Sequence, residues 1–170
     1  MKPKRFFTLT ALVTTLIFVS ILLAGCGGGV KPQEIAEEYL RLWKDGRYKE
    51  AYALLASQSA EKITEEDFIK KHENIYRGIE LSSISYEMEE PVEDEERVII
   101  PFTASYDSAL AGKMEYQFQL PMVKEDESWK IDWSPALIFP QMEDGDKVRV
   151  TTTEPSRGEI FDRNGNPLAL

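Results

Sequence analysis

Residues 98–133 have the sequence VIIPFTASYDSALAGKMEYQFQLPMVKEDESWKIDW, in which apolar residues repeatedly alternate with polar ones. Alternation with a period of two is typical of a β-strand that has one buried and one solvated face. The stretch divides into three such strands, and a fourth precedes them at residues 84–88. Polar turns separate the strands at residues 93–96, 107–112 and 124–128. The pattern therefore predicts an antiparallel meander of four strands.

Upstream of these strands, the apolar residues have helical spacing and predict three helices. The first lies between Pro32 and Gly46, and the second covers residues 48–55. The third has a capping-box start at residues 64–67 and ends at Gly78. Helices followed by a meander indicate an α+β fold, in which three N-terminal helices pack on the apolar face of one curved antiparallel sheet.

The sequence downstream of the meander is too short to form a second domain. Ser134-Pro135 ends the last strand, and an irregular link leads to a further predicted strand at residues 147–152. We place the end of the folded domain near residue 142. Residues 32–142 are then one domain, and residues 143–170 begin another.

The first 26 residues have the parts of an export signal. Three basic residues within the first five are followed by a mostly apolar run over residues 6–23, and the run leads into LAGC. This ending resembles the bacterial lipobox, which implies that residues 1–25 are a lipoprotein signal peptide and that Cys26 carries a lipid. Residues 26–31 are then the lipidated cysteine and a glycine-rich tether. The alternative is an uncleaved transmembrane anchor in which Cys26 is an unmodified thiol.

The charge and the composition exclude several classes of protein. The 170 residues include 30 Asp and Glu against 20 Lys and Arg, and the formal net charge of -10 argues against nucleic-acid binding. One cysteine and one histidine exclude an intramolecular disulfide and a Cys/His zinc site. Acidic runs at residues 87–96 and 124–127 lack the spacing of a calcium-binding loop, so we interpret them as solvated turns. We therefore predict no metal and no cofactor.

A motif of fixed spacing lies at the end of the sequence. Residues 157–169, RGEIFDRNGNPLA, resemble the R-G-x-I-x-D-R-N-G-x-x-L-A signature that opens the pedestal, or dimerisation, domain of class B penicillin-binding proteins. The matching residues are Arg157, Gly158, Ile160, Asp162, Arg163, Asn164, Gly165, Leu168 and Ala169. Asn-Gly suits a tight turn, so the motif predicts a β-hairpin, and the resemblance implies an architectural role for it. The sequence stops in or just after this hairpin, from which we expect a truncated gene product, a split gene or a partial record.

Residues 32–142 resemble the NTF2-like N-terminal domain of low-affinity, methicillin-resistance-type transpeptidases, through residues 68–78, the WKIDW segment at 129–133 and Phe139-Pro140. The resemblance implies an NTF2-like cone that acts as a non-catalytic spacer between the membrane and the pedestal. The implied parent is a serine D,D-transpeptidase that cross-links peptidoglycan and acts in the response to β-lactams. Its implied location is the outer face of the cytoplasmic membrane of a Gram-positive bacterium.

Three partners follow from the resemblance: the membrane through the lipid on Cys26, the catalytic transpeptidase domain of the parent chain, and peptidoglycan. Nucleic acid is not among them. The alternative function is a free-standing NTF2-like lipoprotein that binds a small ligand or a cell-wall partner in its cone.

Two residues have side chains that are often catalytic. Ser59 and Lys62 form an S-x-x-K pattern, but the S-x-N and K-T-G motifs that transpeptidases also need are absent from the sequence. We predict that Ser59 is not catalytic and that the chain as given is not an enzyme. His72 lies between Phe68 and Tyr76 on the apolar stripe of the third helix, where packing is favoured over a general-base role.

Four aromatic residues of the strands offer a further choice. Trp129 and Trp133, together with Tyr116 and Phe118, alternate with polar residues as the buried side of a strand does. We interpret them as the core face of the sheet. A groove for a glycan or a peptide strand is the alternative.

Overall fold

The structure is a computed structural model that describes residues 30–94, 97–151, 153, 158, 160–161, 163–164 and 167–169. Within these residues, four α-helices precede a five-stranded sheet, and a two-stranded sheet follows. The helices are α1 (Pro32–Lys44), α2 (Tyr48–Tyr52), α3 (Ser57–Ala60) and α4 (Glu65–Gly78). The strands are β1 (Leu81–Met88), β2 (Val92–Asp94), β3 (Arg97–Ser108), β4 (Gly112–Glu125), β5 (Ser128–Ile131), β6 (Ile160–Phe161) and β7 (Pro167–Ala169). A short 3-10 helix covers Pro135–Leu137.

Residues at the ends of the two long helices explain where these helices begin and end. Pro32 occupies the first turn of α1, where its missing N–H costs no hydrogen bond. Gly46, at φ +71, turns the chain after α1 in a conformation that favours glycine. Thr64 accepts a hydrogen bond of 3.1 Å from the backbone N–H of Asp67. This bond confirms the predicted start of the third predicted helix, which is α4 in the structure. That helix ends at Gly78, as predicted.

The sheet is antiparallel throughout, with the order β1-β3-β4-β5. β3 and β4 pair along their whole length, from Arg97 opposite Val123 to Ser108 opposite Gly112. β2 pairs with the start of β3, so Glu93 belongs to a strand, and not to the turn expected at residues 93–96.

The apolar face of the sheet is covered by the helices, which confirms the predicted α+β fold. Every second residue of β3 is buried, because successive side chains of a strand point to opposite faces. α1 buries Leu40 and Trp43 against this face, and α4 buries Phe68 and His72. The largest buried residues of the sheet are Ile100, Phe102, Tyr106, Phe118, Leu120, Met122 and Ile131.

Three local predictions differ from the structure. The second helix stops at Tyr52 because residues 54–56 pair with β5: the N–H of Ala56 donates to Ile131 O at 2.8 Å, and the N–H of Ile131 donates to Leu54 O at 3.0 Å. The one-turn helix α3 was not predicted. The strand predicted at residues 147–152 is wrong, since residues 147–151 form no strand despite their alternating pattern.

The C-terminal hairpin expected from the motif is present in the backbone. Ile160 of β6 pairs with Ala169 of β7 in antiparallel orientation, and Arg163 and Asn164 lie in the turn between them. Among the residues that the structure describes, no helix has both the length and the apolar character needed to cross a membrane. The predicted signal peptide, Cys26 and residues 27–29 of the tether lie outside the described residues.

Candidate functional site

Ser59, the serine of the S-x-x-K pattern, is part of the core. It lies in α3 with only 1% of its surface exposed. Its hydroxyl donates to Asp132 Oδ1 at 3.2 Å and accepts a hydrogen bond of 2.8 Å from the backbone N–H of Trp133. These two bonds join α3 to the chain that leaves β5. A nucleophilic serine needs a base and access to substrate, whereas both hydrogen-bonding roles of this hydroxyl serve the fold.

The start of α3 is held by a second contact with the sheet. Glu125, at the end of β4, accepts hydrogen bonds from the backbone N–H and the hydroxyl of Ser57, at 2.8 and 2.9 Å. A carboxylate at this position satisfies an N–H that the helix leaves free. Part of the acidic run at residues 124–127, interpreted as a solvated turn, therefore anchors α3.

Replacing the buried serine tests its structural role. We expect Ser59→Ala to lower the free energy of unfolding by roughly 2 kcal/mol, because the buried N–H of Trp133 loses its acceptor. Urea denaturation measures the change. The exposed Ser83 of β1 is the matched control, and Ser83→Ala should change stability by less than about 0.5 kcal/mol. Equal effects of the two substitutions would contradict the assignment.

His72 is fully buried within a group of aromatic rings. Its Nδ1 lies 2.8 Å from the carbonyl oxygen of Phe68, so this nitrogen carries the proton and donates. Its Nε2 is buried and has no hydrogen-bond partner among the described residues. The imidazole stacks on Tyr48 at 4.9 Å and contacts Trp133 at 5.9 Å, measured between ring centroids.

The surroundings of His72 oppose its protonation. Burial lowers its pKa from 6.5 to about 4, with a smaller contribution from the positive charge of Lys71, while the hydrogen bond to Phe68 acts in the opposite direction. The imidazole is therefore neutral at pH 7. A neutral ring among aromatic side chains, with one bonded nitrogen, is the packing arrangement that we favoured from the sequence.

A second set of buried polar groups links α1, α4 and the sheet. The indole Nε1 of Trp43 donates to the Tyr76 hydroxyl at 2.7 Å, and the Tyr106 hydroxyl donates to Ile138 O at 2.9 Å. Burial raises the pKa of Tyr76 and that of Tyr106 well above the usual range, so both phenols stay protonated. These groups hold the core together and offer no titratable group near neutral pH.

The four aromatic residues considered for a groove lie in different places. Phe118 and Trp133 are buried, as the core interpretation requires. Tyr116 is half-buried and packs edge-on against Phe139, with the ring centroids 5.5 Å apart. Trp129 is half-buried beside a polar groove, which is also lined by Arg97 at the start of β3 and by residues of α3 and of the end of β4. The four side chains therefore do not line one common groove.

The acidic residues do not form a cluster that could hold a metal. Within the described ranges, no group of three or more His, Cys, Asp or Glu side chains comes close enough together to do so. Glu87 is an exposed residue of β1, and Glu125 is bonded to α3.

The motif residues at the C-terminus are described in part. Ile160, Leu168 and Ala169 belong to the strands of the hairpin, and Arg163 and Asn164 to its turn. Gly158 is described and exposed. Arg157, Asp162 and Gly165 lie outside the described residues, so the predicted roles of these three stay predictions.

Comparison with known proteins agrees with this architecture. Residues 31–146 match the family of NTF2-like N-terminal transpeptidase domains. The chain is also 29% identical over 156 residues to penicillin-binding protein 3 of Bacillus subtilis (strain 168). That alignment covers 87% of this chain and 23% of the relative, so the chain spans about a quarter of the relative's length.

Two solved structures are more distantly similar. One is a protein from Campylobacter jejuni described as an NTF2-like transpeptidase, with a TM-score of 0.42 and 11% identity over 62% of this chain and 100% of that chain. The other is a SEC-C motif containing protein from Rhodopseudomonas palustris, with a TM-score of 0.49 and 9% identity over 66% of this chain and 83% of that chain.

Helices packed on one face of a curved antiparallel sheet, around an aromatic core that includes His72, define an NTF2-like domain. The match over residues 31–146 takes in more than half of the sequence. The chain belongs to the family of NTF2-like N-terminal transpeptidase domains.

The S-x-x-K pattern gave no indication of the contacts that Ser59 makes with Asp132 and Trp133. The contact between Ser57 and Glu125 joins residues that are 68 positions apart and left no local signal.

Proposed function

We propose that this chain is the non-catalytic N-terminal region of a membrane-anchored penicillin-binding protein, in which the NTF2-like domain is a spacer between the membrane and a transpeptidase domain. The observation that supports the proposal most is the alignment of 156 residues with penicillin-binding protein 3 of Bacillus subtilis, which extends beyond the NTF2-like domain. The hydrogen bonds of Ser59 and His72 support the proposal further, because both side chains are buried and bonded within the fold and neither is free for acyl transfer.

The proposed organisation has four parts. Residues 1–25 are the lipoprotein signal peptide, and residues 26–31 are the lipidated cysteine and the tether. Residues 32–142 are the NTF2-like domain, and residues 143–170 are the start of the pedestal domain. The parent protein would cross-link peptidoglycan as a serine D,D-transpeptidase and act in the response to β-lactams.

We further propose that the protein is held by a lipid on Cys26 at the outer face of the cytoplasmic membrane of a Gram-positive bacterium. The body should not lie flat on anionic lipid. Its acidic residues outnumber its basic ones, and removal of residues 1–25 takes away three basic residues and no acidic ones. The lipid would therefore be the main attachment of this region.

Lipid attachment predicts a clear effect of one substitution. In cells fed a labelled fatty acid, we expect the wild-type chain to be labelled and to enter the detergent phase on phase partitioning. Cys26→Ala should be unlabelled and should keep residues 1–25 as a larger precursor. Gly28→Ala, in the tether, is the matched control and should behave as the wild type. An unlabelled wild-type chain that retains residues 1–25 would instead indicate an uncleaved anchor.

The spacer proposal is tested by the reading frame beyond codon 170. We expect an open frame that encodes S-x-x-K, S-x-N and K-T-G in this order. A frame that closes without them would favour the free-standing lipoprotein. Deleting residues 143–170 does not separate the two functions, because Val148 packs against the core of the NTF2-like domain and its loss costs stability in either case.

A further inference from the structure

The segment by which the chain leaves the NTF2-like domain touches that domain mainly through one side chain. We call residues 143–151 the exit strap; it runs beside α4 and the end of the sheet. Eight of its nine residues are exposed, and Val148 is the half-buried one. Val148 packs against the hydrophobic core of the domain. The apolar contact between the strap and the domain is therefore centred on a single valine.

The hydrogen bonds of the exit strap lie within it. The backbone N–H of Asp146 donates to Glu143 O at 3.2 Å, and the N–H of Glu143 donates to Asp146 Oδ2 at 2.9 Å. Gly145, at φ +90, gives this turn its bend. Within the ranges that the structure describes, no hydrogen bond or ion pair joins the strap to a helix or a strand. Movement of the strap away from the domain would therefore break none of these bonds.

Open grooves flank the exit strap on two sides. One groove, of about 340 Å³, lies between the strap and α4, beside Ile75. The other, of about 500 Å³, lies between the strap and the start of β4, beside Met114. Protein interiors are close-packed and contain few voids larger than a water molecule. The strap is therefore attached more loosely than the helices and strands that form the core.

We propose that the exit strap is a reversible attachment, which is anchored by Val148 and opens while the NTF2-like domain stays folded. One half-buried valine stabilises the closed position only modestly, so the strap opens far more often than the whole domain unfolds. In the closed position the strap fixes the direction in which the chain leaves the domain. In the open position Met142 is followed by nine free residues, which reach about 30 Å. The proposal concerns the strap itself and does not depend on which domain follows.

Trypsin detects the opening, because its target residues Lys147 and Arg149 flank the anchor and are exposed. A protease binds an extended stretch of chain, so the rate of cutting in the strap follows the population of the open form. A synthetic peptide of residues 143–151 gives the rate for a fully open strap. In the full-length chain, kept in detergent, we expect cuts after Lys147 and Arg149 to be slower than in the peptide by about fivefold or more.

The same digestion separates opening of the strap from unfolding of the domain. Lys71 lies in the middle of α4, so a cut after Lys71 requires this helix to unfold. We expect cuts in the strap to be at least about tenfold faster than cuts after Lys71. In urea below the unfolding transition, and relative to the peptide, the strap rate should stay nearly constant while the Lys71 rate rises. Mass spectrometry identifies each cut.

Two valines of the strap provide a matched pair of variants. Val148 and Val150 each directly follow a trypsin target residue, but Val148 packs against the core, whereas Val150 is 42% exposed. We expect Val148→Ser to speed up cutting in the strap by about fivefold, because the anchor is lost. Val150→Ser should change the rate by less than about twofold.

Three results would overturn the proposal. Cuts in the strap that are as fast as in the peptide would mean that the strap is not attached. Cuts that are as slow as those after Lys71, or that rise in parallel with them in urea, would mean that the strap opens only when the domain unfolds. Equal effects of the two serine substitutions would mean that Val148 is not the anchor. The reading frame beyond codon 170 tests the proposed function without reference to the strap, so the two proposals can fail independently.

Discussion

Trp43→Ala should lower the free energy of unfolding by about 4 kcal/mol, which is a large share of the total stability of a domain of this size. Trp43 is 2% exposed. Its ring packs edge-on against those of Phe102 and Tyr106, with ring centroids 6.2 and 6.0 Å apart. The substitution creates a cavity between α1 and the sheet and leaves the Tyr76 hydroxyl without its donor. Denaturation in urea measures the loss.

One further variant separates the packing of Trp43 from its hydrogen bond, and a second variant is the control. Trp43→Phe keeps most of the packing and removes the hydrogen bond to Tyr76, so we expect a loss of roughly 1–2 kcal/mol. Trp129→Ala is the matched control, because Trp129 is only half-buried at the edge of the sheet. An effect of Trp43→Ala no larger than that of Trp129→Ala would contradict the description of the core.

Acid should destabilise the domain through His72. An unfolded chain takes up a proton on this residue near pH 6.5, whereas the folded chain does so only at about pH 4. Between these values the unfolded state binds more protons, so stability falls as the pH is lowered. Above pH 6.5 the residue is neutral in both states and contributes no pH dependence. The total loss expected from His72 between pH 6.5 and 4 is about 3 kcal/mol.

The comparison with His72→Phe isolates this contribution. Phenylalanine fits the aromatic surroundings of His72 and cannot be protonated, while all carboxylates remain as in the wild type. Stability measured in urea between pH 7 and 4 should therefore fall less steeply for the variant, by about 3 kcal/mol over the range. Parallel curves would show that the imidazole is protonated as easily in the folded protein as in the unfolded chain.

Local patterns predicted the parts of the fold that local chemistry decides. The alternation through β3 and β4 predicted which side chains of these strands face the core, because a shift by one residue would expose Phe102 and Phe118. Thr64 and Gly78 marked both ends of α4, since each interaction there lies within a few residues in sequence.

The remaining features depend on residues far apart in the chain. The end of α2 follows from the pairing of residues 54–56 with β5, and the position of α3 from its contacts with Glu125 and Asp132. Residues 147–151 alternate as a strand does, yet Val148 packs beside α4 and the sheet without strand pairing. A pattern of alternation specifies which side chains are buried, and it forms a strand only where a neighbouring strand is available.

The size and reactivity of the natural polypeptide that carries this domain test its proposed role as a non-catalytic spacer most directly. Antibodies against residues 32–142 would be used to capture the protein from cells that express the gene at its own locus, after labelling with a fluorescent penicillin. We predict that the captured polypeptide is much larger than 19.4 kDa, is labelled, and loses none of its label on Ser59→Ala. A labelled chain of 19.4 kDa or less, or a label that depends on Ser59, would contradict the non-catalytic role. An unlabelled chain of that size would contradict its place in a penicillin-binding protein.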